Sequence, residues 1–158
     1  MSRAASDEFR EALARFASGV TIATVLAPDQ TPHGITISSF NSVSVEPPLI
    51  LICIDSACAF LTHFRASTNF AVNVLSESQR DLSVRFADMP EGRFDGIDWY
   101  TDVTGAPLLP GCLANIECRV FSITEAGDHA IFLAEVVSAE SHEGRPLVYF
   151  NRDYRSIG

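Results

Sequence analysis

A row of uncharged hydroxyl groups near the front of the chain could hold a ligand. The stretch GITISSFNSVSVEPP, residues 34–48, carries no charged side chain before Glu46. If it forms a strand, alternate residues share a face, and one face then carries Thr36, Ser38, Phe40, Ser42 and Ser44. Serine and threonine hydroxyls both donate and accept hydrogen bonds, so this row suits a ligand that is polar without strong charge, such as a heterocyclic ring edge or a polyol chain. A solvent-exposed, serine-rich strand explains the same residues equally well.

A second candidate is the sequence Gly127-Asp128-His129, which separates two long apolar runs. Glycine and aspartate are favoured in tight turns, so a hairpin turn with an incidental histidine is the simplest interpretation. Turn chemistry alone therefore assigns no ligand to His129, although a histidine changes charge near neutral pH.

The composition excludes several other kinds of chemistry. The chain has 158 residues, a formal charge of −9 and a pI near 4.7, which argues against a nucleic-acid partner because phosphates require a basic patch. Lysine is absent, so a Schiff base or a lysine nucleophile is excluded. Neither common nucleotide-phosphate fingerprint, G-x-G-x-x-G or G-x-x-x-x-G-K-[ST], occurs, so any nucleotide must be held in another way.

The cysteines and histidines do not suggest a metal site. None of the four cysteines forms a C-x-x-C pair, and the four histidines show no H-x-x-x-H spacing. No apolar run approaches the roughly 20 residues of a membrane span, and the first residues lack the apolar stretch of a signal peptide. We therefore expect a cytoplasmic protein without metal, membrane or nucleic-acid partner, formed by a single domain over residues 1–158.

Apolar periodicity predicts a chain rich in strands. Helices are predicted at 7–18, capped by Ser6 and ended by Gly19, and at 57–66 and 77–87. Strands are predicted at 20–27, along the hydroxyl row, and at 49–55, 70–75, 112–124, 129–142 and 147–150, with a long loop at 88–111 and a short strand near Trp99. In the first helix, Phe9, Leu13 and Phe16 share one apolar face. Because strands and helices do not alternate regularly, an antiparallel barrel with peripheral helices fits better than a doubly wound sheet.

Motifs spread over residues 9–154 resemble those of the flavin reductase-like family. They are F-x-x-x-x-x-x-F-A-S-G-V at 9–20, T-I-S-S-F-N-S-V-S-V-E-P-P-L at 36–49, F-A-V-N-V-L at 70–75 followed by Gln79, R-F-A at 85–87, G-C-L-A-N-I-E-C at 111–118, G-D-H at 127–129 and P-L-V-Y-F at 146–150. Each motif alone is weak, whereas their order and spacing are specific. Members of this family are small NAD(P)H:flavin oxidoreductases that serve two-component monooxygenases.

The resemblance implies a mainly β fold, an antiparallel Greek-key split β-barrel with peripheral helices. It also implies a homodimer that binds flavin in a groove near the subunit interface. The implied activity is reduction of FMN or FAD by NADH or NADPH, followed by transient transfer of the reduced flavin to an oxygenase component. The alternatives are a flavin-binding or storage protein on the same barrel without significant NADH turnover, and a small barrel that binds an unrelated metabolite.

Transferred residue by residue, the resemblance also assigns roles within the site. The catalytic candidate is His129, which would orient the nicotinamide, while Asp128 would contact the nicotinamide side or fix the turn. The other candidates would bind the flavin: at the isoalloxazine ring and ribityl chain, Thr36, Ser38 and Ser39; at the polar edge of the ring, Ser42, Val43 and Ser44; at the phosphate, Asp55, Ser56, Cys58, Ala59, Arg85 and Phe86; and beside the groove, Tyr154.

One position departs from the family pattern. Relatives usually carry serine or threonine where this chain has Cys58, and a thiol is a poor hydrogen-bond donor to a phosphate. Ser56, Arg85 and the backbone N–H groups at the start of the following helix are expected to compensate. The sequence leaves open the choice between FMN and FAD, the choice between NADH and NADPH, and the identity of the partner oxygenase.

Overall fold

Ten strands and three helices make up the fold in the computed structural model, which describes residues 3–157. The strands are β1 (Ser18–Gly19), β2 (Thr21–Leu26), β3 (Pro32–Ile37), β4 (Asn41–Ser44), β5 (Leu49–Asp55), β6 (Asn69–Val74), β7 (Ala114–Ala126), β8 (His129–Ser141), β9 (Val148–Phe150) and β10 (Asp153–Arg155). The helices are α1 (Arg3–Ala14), α2 (Leu61–Ala66) and α3 (Arg80–Asp88), and a short 3-10 turn at Glu77–Gln79 leads into α3.

Seven of the strands form one antiparallel sheet in the order β3-β2-β6-β7-β8-β5-β4. The pairing of β2 with β6 and of β5 with β8 joins strands that are distant in sequence and gives the Greek-key connections. Strands β3 and β4 lie at the two ends of the order, so the sheet does not close on itself and matches a split barrel. The predicted mainly-β, antiparallel fold is confirmed. Strands β1, β9 and β10 form a second, small antiparallel sheet.

The main hydrophobic core takes alternate residues from the strands of the large sheet. In β5, Ile50, Ile52 and Ile54 are buried while the residues between them are more exposed, as the period of two requires. Phe64 of α2 packs edge-on against Phe132 of β8, with ring centroids 6.3 Å apart. The core therefore fixes which face of β5 points inward, and this in turn fixes the orientation of the residues at the end of the strand.

The hydroxyl row does not form one strand, because the chain passes within it from one end of the sheet to the other. Strand β3 ends beside β2 at Ile37, and β4 begins beside β5 at Asn41. The single continuous strand predicted for residues 34–48 is therefore wrong at residues 38–40, and also at residues 45–48, which form the turn between β4 and β5. Both halves alternate with period two, so local periodicity could not reveal that they pair with different partners. We call the gap between β3 and the end of β5 the split.

The hydroxyl of Ser39 joins the two sides of the split. It accepts a hydrogen bond from the backbone N–H of Cys53 at 3.1 Å and donates one to the carbonyl oxygen of Cys53 at 2.8 Å. The register of β4 on β5 pairs Asn41 with Leu51. Two residues further along the same register, Ser39 falls opposite Cys53, so its side chain takes the place of the strand backbone that is missing there.

Helix α1 begins and ends earlier than the predicted range 7–18. Ser6 lies inside the helix instead of capping it, and Gly19 belongs to β1 instead of ending the helix. The apolar face is present but uncovered: Phe9 and Leu13 are 55% and 57% exposed, and Phe16, just beyond the helix, is 80% exposed. The periodicity identified a real apolar face that this chain alone does not bury.

Four further elements differ from the sequence predictions. The helix expected at 57–66 begins only at Leu61, and the helix expected at 77–87 starts as a 3-10 turn. Instead of a strand near Trp99, a single antiparallel bridge pairs Tyr100 with Leu108. Strand β10 was not predicted, because its three residues lie in a polar segment with no apolar alternation.

Buried polar side chains fix the second half of the long segment between α3 and β7. Glu117 of β7 is 2% exposed and accepts hydrogen bonds from the N–H groups of Val103 and Thr104 and from the hydroxyl of Thr104. Asn73 of β6 accepts a hydrogen bond from the N–H of Leu109 at 2.9 Å. These bonds satisfy buried polar groups and hold the segment against the outer face of the sheet.

Candidate active site

A groove of about 370 Å³ follows the split in the barrel. One wall is formed by β3 and the residues after it, and the other by the end of β5, which β4 does not reach. Seven of the predicted site residues line it: Thr36, Ser38, Ser39, Asp55, Cys58, Phe86 and His129. Because strand edges without a neighbouring strand present backbone N–H and C=O groups, this groove offers main-chain as well as side-chain hydrogen bonds.

The three hydroxyls on the β3 side of the groove differ in what they can still bind. The Thr36 hydroxyl donates to the carbonyl oxygen of Ser83 in α3 at 2.6 Å, and the Ser39 hydroxyl is engaged with Cys53 in both directions. Each of these two hydroxyls already donates its O–H, so it can only accept a further hydrogen bond. Ser38 is exposed, and its hydroxyl has no hydrogen-bond partner among the described residues. Of these three hydroxyls, that of Ser38 is therefore the one with both its donor and its acceptor capacity available.

A backbone hydrogen bond joins the turn after β5 to the turn between β7 and β8. Asp55 pairs with His129 where β5 meets β8, and the N–H of Ser56 donates to the carbonyl oxygen of Asp128 at 2.9 Å. The Asp55 carboxylate accepts a hydrogen bond from the N–H of Ala57 at 2.8 Å. The two candidate stretches, far apart in sequence, are therefore brought together at the groove.

The expected helix N-terminus is not at Cys58. Helix α2 begins at Leu61, so residues 55–59 form a turn that precedes it. In that turn the N–H of Cys58 donates to the carbonyl oxygen of Asp55 at 2.9 Å. A phosphate held there would lie beside a turn whose N–H groups are already bonded, and not at the end of a helix.

His129 lines the groove and is oriented by its neighbour Asp128. Its Nδ1 lies 2.7 Å from Oδ1 of Asp128, and the side chains are 43% and 91% exposed, respectively. The hydrogen bond and the charge of His129 hold the pKa of the Asp128 carboxyl below its ordinary value. Because Nδ1 is engaged in this way, Nε2 is the ring nitrogen available to a ligand in the groove.

The arginine in the groove is Arg93, whereas Arg85 was predicted. The guanidinium of Arg85 donates to the carbonyl oxygens of Gly92, Arg93 and Asp95, so it fixes the loop after α3 and does not close the groove. Arg93 lines the groove, and its guanidinium carbon lies 4.3 Å from the ring centroid of Phe60. Burial lowers the pKa of Arg93 below its ordinary value, and the guanidinium stays charged at neutral pH.

Sequence reasoning missed Arg93 because it falls in a segment without apolar periodicity. The one local signal is the pair Arg93-Phe94, a cation and a large apolar residue within an acidic, glycine-rich loop. Phe94 packs on Phe86 of α3 with ring centroids 4.9 Å apart, and this contact holds the loop against the groove. A search for large aromatic residues inside loops would have pointed to Phe94 and so to its neighbour Arg93.

Several predicted residues do not line the groove within a single chain. They are Ser42, Val43 and Ser44 on β4, Ser56 and Ala59 in the turn after β5, Asp128, Arg85 and Tyr154. Tyr154 lines a neighbouring cavity of about 370 Å³, which shares Thr36 and Ser38 with the groove. Its hydroxyl lies 2.8 Å from that of Ser83, so Tyr154 also packs the C-terminal strand against α3.

Within residues 3–157 no group of three or more His, Cys, Asp and Glu side chains is placed to hold a metal ion. None of the helices described is both long enough and apolar enough to cross a membrane. The polar groups of the groove are neutral hydroxyls, two thiols, strand-edge backbone, the Asp55 carboxylate, one arginine and one histidine.

The sequence profile of the flavin reductase like domain matches residues 13–158. The chain therefore belongs to the flavin reductase-like family, and the family predicted from the motifs is confirmed. The reductase subunit HsaB of a flavin-dependent monooxygenase from Mycobacterium tuberculosis is 38% identical over 152 residues, which cover 94% of this chain and 81% of that protein. The FMN reductase (NADH) SmoA of Agrobacterium fabrum is 42% identical over 145 residues, which cover 91% of this chain and 82% of that protein.

A solved structure shows the same architecture. The NADH:FAD oxidoreductase of Streptomyces globisporus, in complex with NAD and FAD fragments, is similar with a TM-score of 0.92 at 34% sequence identity. The similarity covers 100% of this chain and 96% of that one. The same fold therefore extends over nearly the whole of both chains.

Proposed function

We propose that this protein is an NAD(P)H-dependent flavin reductase, which reduces FMN or FAD and passes the reduced flavin to the oxygenase of a two-component monooxygenase. The observation that carries the proposal is the groove at the split, with its neutral hydroxyls, Arg93 and the exposed ring of His129, in a chain of the flavin reductase-like family. The names of the relatives support it, since one is an FMN reductase that uses NADH and another is the reductase subunit of a monooxygenase.

The residues of the groove fit a flavin in size and in polarity. Ser38, Ser39 and Cys53 are small, so they leave room for a flat ring system, and the strand edges beside them supply hydrogen bonds for its polar edge. Arg93 would meet the phosphate, to which the thiol of Cys58 adds little, since the backbone N–H groups of Ser56, Ala57 and Cys58 already donate within the turns. A bound flavin supplies the redox chemistry, by accepting a hydride from the reduced nicotinamide.

His129 would position the nicotinamide in this proposal. Its Nδ1 is held by Asp128, and its Nε2 remains to contact the carboxamide or the ring of the second ligand. Asp128 would act through His129, by fixing the orientation of the imidazole. The groove is open and has no phosphate-binding loop, which favours the modest affinity that release of a reduced flavin requires.

A homodimer is part of the proposal. Phe9 and Leu13 on α1, and Val43 and Val45 at β4, are large apolar side chains that are 48% to 91% exposed in the single chain. A second copy related by a two-fold axis, which is the commonest arrangement of homo-oligomers, would cover such faces and bring Ser42–Ser44 close to a bound ligand. We also propose a single domain over residues 1–158 and a cytoplasmic location, where the nicotinamide donors are supplied.

The test is an assay that crosses FMN and FAD with NADH and NADPH, using free flavin in excess of enzyme. A reductase oxidises the nicotinamide steadily for many turnovers per protein. A flavin-binding or storage protein, the second candidate, becomes yellow and gains thermal stability with flavin but oxidises at most one equivalent of NADH. A protein that neither binds flavin nor oxidises the nicotinamide would contradict both.

A further inference from the structure

A second cavity lies beside the groove, on the other side of Arg93, and none of the roles above uses it. Its volume is about 600 Å³, against about 370 Å³ for the groove, and small-molecule sites commonly measure about 300–1,000 Å³. Four rings contribute to its walls: His33, Phe60, Phe94 and Trp99. We call it the aromatic cavity.

The aromatic cavity and the groove are neighbours along two segments of the chain. Arg93 lines both of them. On β3, Gly34 faces the aromatic cavity and Ile35 the groove, while before α2 the corresponding residues are Phe60 and Cys58. A ligand that extends from the groove past Arg93 therefore enters the aromatic cavity.

Gly34 lets the wall between the two cavities form. A Cβ atom at Gly34 would come within 2.7 Å of the ring of Phe86, which lines the groove, and within 3.3 Å of the ring of Phe94, which lines the aromatic cavity. The rings of Phe94 and Trp99 meet edge-on with centroids 6.2 Å apart. The wall is thus a packed series of rings and not a loose loop.

Arg93 is held in place and keeps donors to spare. Its guanidinium donates to the carbonyl oxygens of Met89, Gly34 and Ala87 through Nε, Nη1 and Nη2. A guanidinium has five N–H groups, so two remain for a ligand between the cavities. A fixed cation with free N–H groups is suited to a phosphate or pyrophosphate.

The remaining lining groups match an adenosine. Aromatic rings stack on a purine, and this kind of contact is tolerant of exact geometry. The exposed carboxylates of Glu91 and Asp95 also line the aromatic cavity, where they can accept hydrogen bonds from ribose hydroxyls, as an acidic residue does in dinucleotide-binding folds. The rings can take the base, the carboxylates the ribose and the cation shared with the groove the phosphates.

We propose that the aromatic cavity binds the adenosine half of FAD, with the pyrophosphate passing Arg93. The inference rests on the proposed function, because it takes the flavin ring to lie in the groove and its phosphate to lie near residues 55–58 and Arg93. FAD is favoured over NADH as the occupant, because in FAD the adenosine is attached to the flavin through the phosphate that lies at Arg93. The enzyme should accordingly bind FAD more tightly than FMN.

The first test needs no variant and no turnover. Equilibrium binding of FMN and of FAD is measured by calorimetry, with and without adenosine as competitor. We expect FAD to bind about tenfold more tightly than FMN. Adenosine carries no phosphate to compete at Arg93, so it should weaken FAD binding towards that of FMN while leaving FMN binding unchanged. Equal affinity for both flavins, with no effect of adenosine, would overturn the inference and leave the proposed function intact. If neither flavin binds, the proposed function itself fails.

The second test uses Trp99, which is 36% exposed and can be replaced without opening the core. Trp99→Ala should raise the FAD Kd about tenfold and leave the FMN Kd unchanged, and Trp99→Phe, which keeps a ring, should restore most of the affinity. Tyr100→Ala is the matched control, because Tyr100 is similarly exposed and adjacent but does not line the aromatic cavity. An equal loss for FMN and FAD would show that Trp99 acts through the fold, and would contradict the inference.

A third measurement separates the two possible sources of adenosine. KM is determined for NADH and for reduced nicotinamide mononucleotide, which lacks the adenosine, with FMN as acceptor. We expect Trp99→Ala to leave both values unchanged. A rise in KM for NADH alone, with the FAD Kd unchanged, would assign the aromatic cavity to NADH and overturn its assignment to FAD.

Discussion

At the scale of single residues, Ser38 and Ser39 show how neighbouring hydroxyls of the same type acquire different roles. Ser39 bonds to both backbone groups of Cys53, whereas Ser38 is exposed in the groove. The family resemblance assigned both to flavin binding. The structure indicates that Ser39 is first of all a structural link across the split.

The two serines should therefore respond differently to replacement by alanine. Ser39→Ala leaves the N–H and C=O of Cys53 without their partner and should lower the free energy of unfolding by about 1–3 kcal/mol. Ser38→Ala should leave stability unchanged and raise the flavin Kd, since one lost hydrogen bond is worth about 0.5–1.5 kcal/mol. Urea denaturation and flavin titration of both variants measure the two effects. A loss of stability in Ser38→Ala equal to that in Ser39→Ala would contradict this division.

His129 offers a second prediction at this scale. His129→Ala should lower kcat/KM for NADH about tenfold or more, which corresponds to ~1.4 kcal/mol, and should leave the flavin Kd nearly unchanged. His142→Ala is the matched control, since His142 is also exposed beside a carboxylate, that of Glu140, but lies outside the groove. Steady-state kinetics with varied NADH and saturating flavin compare the three proteins. Equal kcat/KM values for His129→Ala and wild type would remove the nicotinamide role.

At the scale of elements, β3 and α2 are joined by a stacked histidine pair. The rings of His33 and His63 lie 3.6 Å apart between centroids and are 8° from parallel. Burial, followed by the charge of His63, lowers the pKa of His33, while Asp29 opposes the shift. Arg93 adds a nearby positive charge over the ring of Phe60, which packs on His33.

This pair should make the protein less stable in mild acid. Because the folded state keeps His33 neutral, the unfolded chain takes up the proton first as the pH falls. The contribution to stability is complete above the ordinary pKa of 6.5 and is lost as the pH drops through the lowered pKa of His33. His33→Phe, which keeps a ring but cannot be protonated, should lose less melting temperature than wild type between about pH 7.5 and about pH 5. The same loss in both proteins would show that the pair does not contribute, and His142→Phe serves as the control.

The bounds of an element were predictable where its apolar pattern faces a single core. Strand β5 has the predicted bounds because Ile50, Ile52 and Ile54 alternate against one core. The break at residues 38–40 was not predictable, since it depends on β2 and β5, which lie elsewhere in the sequence. The family motif on β3 named groove residues in advance. That Arg93 and not Arg85 lines the groove could not be predicted, because the hydrogen bonds of the loop after α3 decide it.

At the scale of the whole molecule, the exposed face of α1 predicts association. Phe9 and Leu13 present large apolar side chains on a surface helix, and one chain does not cover them. We expect a dimer in sedimentation experiments, and we expect the double substitution Phe9→Ser with Leu13→Ser to give a monomer with reduced flavin turnover. Val103→Ser, at a site that is 64% exposed in a loop, is the control and should remain dimeric. A wild-type monomer with full turnover would contradict the prediction.

The split has a further effect on the protein in the absence of ligand. Two strand edges face each other across the groove, and one serine hydroxyl links them. Another extended chain could pair with either edge, as happens at exposed sheet edges in domain swapping and aggregation. A molecule seated in the groove blocks both edges and stabilises the native state in proportion to the logarithm of its concentration over Kd. Shelf life of the purified protein should thus depend on whether flavin is kept in the buffer.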